Sequence, residues 1–145
     1  MRETATKPLL LFITFIFVFA ALTASCSLTK GKEQGGRAAE QFHQQFNVGQ
    51  YQTIYQQGDK KFQEAVTEVE FTEFLEAVRR KLGTVEKATP TGWKVNATPM
   101  GTVVTLGYET QFSDGKGTEQ FSFLISGEQA NLLRYDINSP LLITR

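Results

Sequence analysis

The apolar residues of this chain change their period at Gly83, and that change excludes most of the folds open to a chain of 145 residues. Upstream they recur at helical spacing. Ala39, Phe42 and Phe46 fall at i, i+3 and i+7, and Phe71, Phe74, Leu75, Val78 and Leu82 mark one face of a longer segment. Downstream they alternate: Trp93, Val95 and Ala97; then Val104, Leu106, Tyr108 and Phe112; then Phe121, Phe123 and Ile125; then Leu133, Tyr135 and Ile137. A parallel sheet would need a helical crossover between strands, and none is spaced here to supply one. Helices first and strands second therefore predict an α+β domain, with the helices packed on one face of a curved antiparallel meander of four to five strands.

Local signals divide the two halves. Gly49 stops the first helix, Gly58 a second around Tyr51, Ile54 and Tyr55, and a third short piece runs from Lys60 to Ala65 around Phe62. Thr67 and Glu70 form a capping box in front of the longest helix, with Val66 and Phe71 as its hydrophobic staple. Gly83 is placed for a left-handed C-cap, and Arg79, Arg80 and Lys81 sit where the helix dipole favours cations, on the expected outer face with Glu73 and Glu76. After a short extended piece, Val85 to Lys87, the stretch Ser113-Asp-Gly-Lys-Gly117 is a hairpin signal between two strands.

The amino terminus is of another kind. Arg2 and Lys7 precede the 15-residue apolar run Pro8–Leu22, which is followed by Thr23, Ala24, Ser25 and the only cysteine, Cys26. A basic start, a short apolar core and small residues before a cleavage point make a secretory signal. At about 1.5 Å per residue the run is about 22 Å long as a helix, short of the roughly 30 Å of a hydrocarbon core. Including Thr23 to Ser25 narrows that gap, so an uncleaved membrane helix stays open as an alternative anchor. Residues 27–36, with three glycines and almost no apolar content, read as a flexible tether. The expected organisation is a signal over 1–25, a modified cysteine and tether over 26–36, and one α+β domain over 37–145.

The segment Leu22-Thr-Ala-Ser-Cys26 resembles the lipobox of bacterial lipoprotein precursors. The resemblance implies a diacylglycerol thioether on Cys26, cleavage before it, and further acylation by a chain such as palmitate, with the thiolate as nucleophile. It implies an address as well: a bacterial cell membrane, with the domain facing the periplasm or the exterior. Ser27 stands where an aspartate would retain a lipoprotein at the inner membrane of enteric-type bacteria, which implies the outer membrane if the organism is Gram-negative. Two or three acyl chains hold firmly where one holds marginally.

Without residues 1–25 the chain is close to neutral, 13 Lys and Arg against 14 Asp and Glu, so it carries no electrostatic footprint for nucleic acid. With Cys26 acylated no thiol is left for a disulfide, and one histidine gives no transition-metal site. No cofactor motif is present.

The order of elements, with Gly49-Gln-Tyr51, Ile54-Tyr55, Phe71 to Gly83, Val103 to Tyr108 with Phe112, and Tyr135 to Ser139, resembles small bacterial lipoprotein domains of the cystatin-like and NTF2-like class. The resemblance implies a cone-shaped pocket between sheet and helix. Tyr55, Tyr108 and Tyr135 are its candidate lining residues, and a packed tyrosine with one hydroxyl partner is the favoured explanation of each. Glu109 and Asp136 fall at outward positions, and His43 is expected on a solvated helix flank. Gln45-Phe-Asn-Val-Gly49 has one residue too many for the Gln-x-Val-x-Gly protease-inhibiting loop of cystatins. The expected function is a non-catalytic, membrane-anchored envelope module that binds a protein partner or a small apolar ligand. An NTF2-like pocket enzyme and a purely structural envelope protein are the alternatives.

Overall fold

A computed structural model describes residues 29–143. The signal segment, Cys26 and Ser27 lie outside the described residues. The chain divides into Met1–Lys30 and Gly31–Arg145, and the folded domain is the second unit. Helix α1 is described over 29–47. It is followed by α2 (Tyr51–Gln56), α3 (Lys60–Ala65) and α4 (Glu68–Leu82), then by strands β1 (Val85–Thr98), β2 (Gly101–Phe112), β3 (Lys116–Ser126) and β4 (Gln129–Asn138), and a last turn, α5 (Pro140–Ile143).

The helical signals act as the sequence requires. In α4 the Thr67 hydroxyl oxygen accepts from the Glu70 amide, and the Glu70 carboxylate accepts from the Thr67 amide at 3.0 Å. The Thr67 hydroxyl also donates to that carboxylate at 2.7 Å, and this bond, followed by the one from the Thr67 amide, holds the Glu70 carboxyl below its usual range. Gly83 ends the helix at positive φ, but at φ 81° and ψ −150° it is not the left-handed helical cap that its position suggests. Its backbone turns directly into the sheet, and a Cβ there would strike Ser113 and Asp114 of the β2–β3 turn. Arg79, expected outside, instead donates to the carbonyls of Phe46 and Asn47 at 3.1 and 2.8 Å and so closes the C-terminal end of α1.

The sheet has four antiparallel strands in the order β1-β2-β3-β4. Val85 to Lys87 is not a separate strand, because β1 runs unbroken to Thr98 with irregularities at Val85/Lys87 and Pro90/Gly92. The second of these absorbs a proline, which has no amide to give to a ladder. A further irregularity pairs Ser122 with Arg134 but Phe123 with Leu132. It leaves Leu133 as the extra residue, so Leu132 and not Leu133 enters the core.

Helix α1 lies against the inner sheet face. Ala39, Phe42 and Phe46 are buried as their spacing predicts, with the Phe42 ring edge-on to Phe121 at 5.0 Å and Phe46 edge-on to Phe112 at 6.4 Å. Phe74 departs from its expected face and sits on the rim beside Tyr135. The expected tether differs more. Residues 29–36 are helical and continue directly into α1. A Cβ on Gly31 would meet Val104 at 3.3 Å, and one on Gly35 would meet Leu106 and Val104 at 3.2 Å. These two glycines, four apart on one helix face, bring the α1 backbone onto β2. Burial there outweighs the roughly 1 kcal/mol per residue that glycine costs a helix.

Among the described residues no helix is long and apolar enough to cross a membrane.

Candidate functional site

Two side chains that the sequence reading set aside meet inside the domain. His43 follows Phe42 on α1, four residues after Ala39 and three before Phe46, and that spacing turns it inward. Glu119 stands two residues before Phe121 on β3 and shares its inner face. His43 Nε2 lies 2.8 Å from Glu119 Oε2, and the two residues are 8% and 3% exposed. The expectation of a solvated histidine is thus overturned. It failed because helix α1 presents a face four residues wide to the sheet, broad enough to bury His43 beside Phe42.

The carboxylate is fully occupied. Thr110 Oγ1 donates to Oε2, and the Tyr135 hydroxyl donates to Oε1 at 2.7 Å. With Glu119 accepting from Thr110 and Tyr135, the His43 tautomer that donates from Nε2 completes the set. The His43 ring is edge-on to Tyr108 and Phe121, with centroids 6.1 and 5.5 Å away. No buried side-chain nitrogen or oxygen is left without a partner among the described residues. Burial, then the charge and hydrogen bond of Glu119, push the Tyr135 hydroxyl well above 10.0, and burial with the Glu119 charge raises Tyr108 as well. Both phenols are therefore neutral throughout the ordinary pH range.

Of the three tyrosines expected at a pocket, the structure brings two together. Tyr108 and Tyr135 flank the His43–Glu119 pair. Tyr55 lies elsewhere and donates to the carbonyls of Gln63 and Val66 at 3.1 and 3.0 Å, which ties α2 to the end of α3. Glu109 is exposed on the outer face as expected, and Asp136 is held there by Arg134 at 2.6 Å. Among the described residues no cone-shaped cavity opens onto the acid–base pair. The notch beside α1, between Phe42, Ile54 and Leu132, has a volume of only about 40 Å³. Side chains of α1 fill the space that a pocket enzyme would leave open. Among the described residues no three potential metal ligands cluster.

A depression of about 440 Å³ runs along α1 past Arg37, Gln41, Gln57 and Gln129, and two larger ones lie on the other side of the sheet. One of about 520 Å³ has the paired Gly92 and Gly107 in its floor, with Lys94, Gln120 and Asp136 around it. A second of about 720 Å³ runs past Lys87, Glu109 and Lys116 to Ile143 of α5. Thr118 and Asn138 belong to both, so the two join as one trough. Its outward positions carry hydroxyl, amide and charged groups of both signs. Trp93, Ile137, Pro140 and Ile143 add apolar surface to the same trough, so it offers hydrogen-bonding groups and apolar contact together.

The strand periodicity contained enough to find Glu119. Counting inward positions back from Phe123 and Phe121 reaches it directly, and only its charge argued against burial.

Comparison with curated proteins finds no match. Residues 38–131 do match a family model, described as a protein of unknown function (DUF4019), over a span that takes in the second half of α1, the other three N-terminal helices and the sheet as far as the start of β4. That span contains His43, Thr110 and Glu119, stops short of Tyr135, and covers well over half of the chain, so the protein belongs to the DUF4019 family.

Proposed function

We propose that this protein is a bacterial envelope lipoprotein, held to a membrane by acyl chains on Cys26, whose domain is a non-catalytic binding module of the cystatin-like and NTF2-like class. The anchor reading rests on one observation: a basic start and the apolar run Pro8–Leu22 lead through Thr23, Ala24 and Ser25 to the chain's sole cysteine. The class reading is supported by helices followed by an antiparallel meander that packs its inner face on α1. The binding surface in this reading is the outer trough. Its hydroxyl, amide and charged groups interleaved with Trp93, Ile137 and Ile143 suit a segment of an envelope protein, which brings both hydrogen-bonding groups and apolar side chains.

The His43–Glu119 pair supports a second reading, the pocket enzyme, since a histidine and a carboxylate in contact are the material of general acid–base catalysis. Two facts weigh against it: each Glu119 oxygen already has a protein donor, and the pair has side chains where a substrate would sit. The anchor is tested by labelling. The wild-type protein takes up labelled fatty acid and is shortened to the Cys26 terminus, and Cys26→Ser does neither. Label that persists in Cys26→Ser sinks the lipid anchor, and an unlabelled wild type of precursor length identifies the uncleaved membrane helix instead.

A further inference from the structure

β4 is the outermost strand beside β3, and its edge is tied to the helices at Leu132, whose carbonyl accepts from the Asp59 amide at the start of α3 at 2.8 Å. Beyond the shift at Leu133, Arg134 to Asn138 run in unbroken register with Ser122 to Thr118. Because Leu132 turns its carbonyl to the edge, the alternation of an antiparallel ladder can be followed along β3 from Phe123 through Phe121 to Glu119. It turns the main-chain groups of their partners Tyr135 and Ile137 to the edge as well. A row of such groups is a template for a further strand.

The side chains select the strand that fits. Arg134 and Asp136 stand on the outer face, bonded to each other at 2.6 and 3.0 Å, with Tyr135 between them on the inner face. Opposite residues of antiparallel strands share a face, so a second copy of β4 related by a two-fold axis must place one residue opposite itself. Two such registers are centred on the free segment. The one centred on Asp136 sets two carboxylates face to face. The one centred on Tyr135 sets Arg134 opposite Asp136 of the second copy, and Asp136 opposite its Arg134, so that four charges alternate around a square.

Phe74 belongs to the same place. Its ring, in a residue 40% exposed, lies 6.2 Å from that of Tyr135. An axis at Tyr135 brings two such rings to one side of the joined sheet and accounts for an aromatic left in water at the rim.

We propose that this edge is a homodimer interface: a second copy of the chain pairs antiparallel along residues 134–137, with its two-fold axis at Tyr135, and joins two four-stranded sheets into one. The pairing depends neither on a lipid at Cys26 nor on what the trough binds.

A charge square can be broken within each copy and rebuilt between two, which gives the test. The full chain in detergent, with empty micelles in excess, is weighed by native mass spectrometry, and wild type is expected as a dimer. Arg134→Asp and Asp136→Arg each set like charges opposite one another and are expected to weaken the dimer about tenfold or more. An equal mixture of the two variants, one carrying a mass tag, is expected to form the mixed dimer in preference to either homodimer. Both side chains are exposed, so circular dichroism spectra that match wild type confirm that the variants are folded. Wild type that stays a single chain as its concentration is raised overturns the proposal, as do single variants that dimerise like wild type. A mixture in which mixed dimers are no commoner than homodimers overturns it too.

Discussion

The two faces of one sheet have been put to opposite uses. On β3, Glu119 and Gln120 are neighbours in sequence, yet Glu119 is shut between α1 and the sheet while Gln120 stands on the wall of the outer trough. The inner face is filled with rings and one polar cluster in which each carboxylate oxygen has a donor. The outer face carries Thr, Gln, Asn and charged groups of both signs over a glycine floor, with Trp93, Ile137 and Ile143 at its margins and room for a ligand. Contact between an acid and a base is therefore not enough to locate a working site. Here the acid–base pair lies where nothing can reach it, and the reachable groups are dispersed over the face that holds no such pair.

The sharpest way to break that contrast is to truncate the two neighbours. Glu119→Ala leaves His43, Thr110 and Tyr135 facing a void, and removal of one partner from a buried charged cluster costs about 3–5 kcal/mol. Gln120→Ala is expected to stay within about 0.5 kcal/mol of wild type, as surface changes do. Urea unfolding followed by circular dichroism compares the two, and equal midpoints would mean that the inner cluster does not support the fold. Replacing His43 and Glu119 together by leucine should cost less than the sum of the single changes, because neither polar partner is then stranded.

A second pair tests how closely α1 is applied to the inner face. Gly35→Leu is expected to lower stability by about 1–3 kcal/mol, since the added atoms have only Leu106 and Val104 to push against. A Cβ on Gly36 meets nothing within 4 Å, so Gly36→Ala should raise stability by about 0.5–1 kcal/mol through helix propensity alone. Thermal melts that move the same way for both would show that residues 29–36 do not pack on the sheet.

The smallest effect is one of pH. Because the Tyr135 hydroxyl is raised above 10.0, its neutral form is favoured in the folded state. An unfolded tyrosine ionises first as the pH climbs, so this contribution is intact below about pH 10 and is lost above it. Tyr135→Phe is expected to cost about 1 kcal/mol at neutral pH through the lost bond to Glu119 and to flatten the alkaline decline. An alkaline limb of the stability curve that is unchanged in Tyr135→Phe would contradict the assignment.

Much of the architecture was legible because its causes are local. The capping box at Thr67 and Glu70, the limits of α3 and the hairpin at Ser113–Gly117 each follow from a few adjacent residues. Three features were not local, and the sequence reading missed them. Glycine disfavours helix in isolation, so Gly31 and Gly35 suggest a tether until the sheet they pack on is known. Pro90 argues for a break in β1 unless an irregular register takes it up. The register shift near Phe123 moves Leu132 inward and Leu133 out of phase, and it depends on how β4 meets β3. The candidate site divides the same way. Tyr108, Tyr135 and Glu119 follow from strand parity, and His43 follows from helical spacing. What periodicity cannot supply is that two polar residues from distant segments satisfy one another, and without that fact each looks too costly to bury.

The irregular edge strand has a further consequence. β1 is the outermost strand on its side of the sheet and is 14 residues long, enough to recruit a strand from another molecule if its free edge were continuous. Pro90 has no amide to offer such a visitor, and the shift between Pro90 and Gly92 puts the two halves of the edge out of step. At high local concentration, the interruption in β1 keeps neighbouring copies from knitting their sheets together edge to edge through this strand.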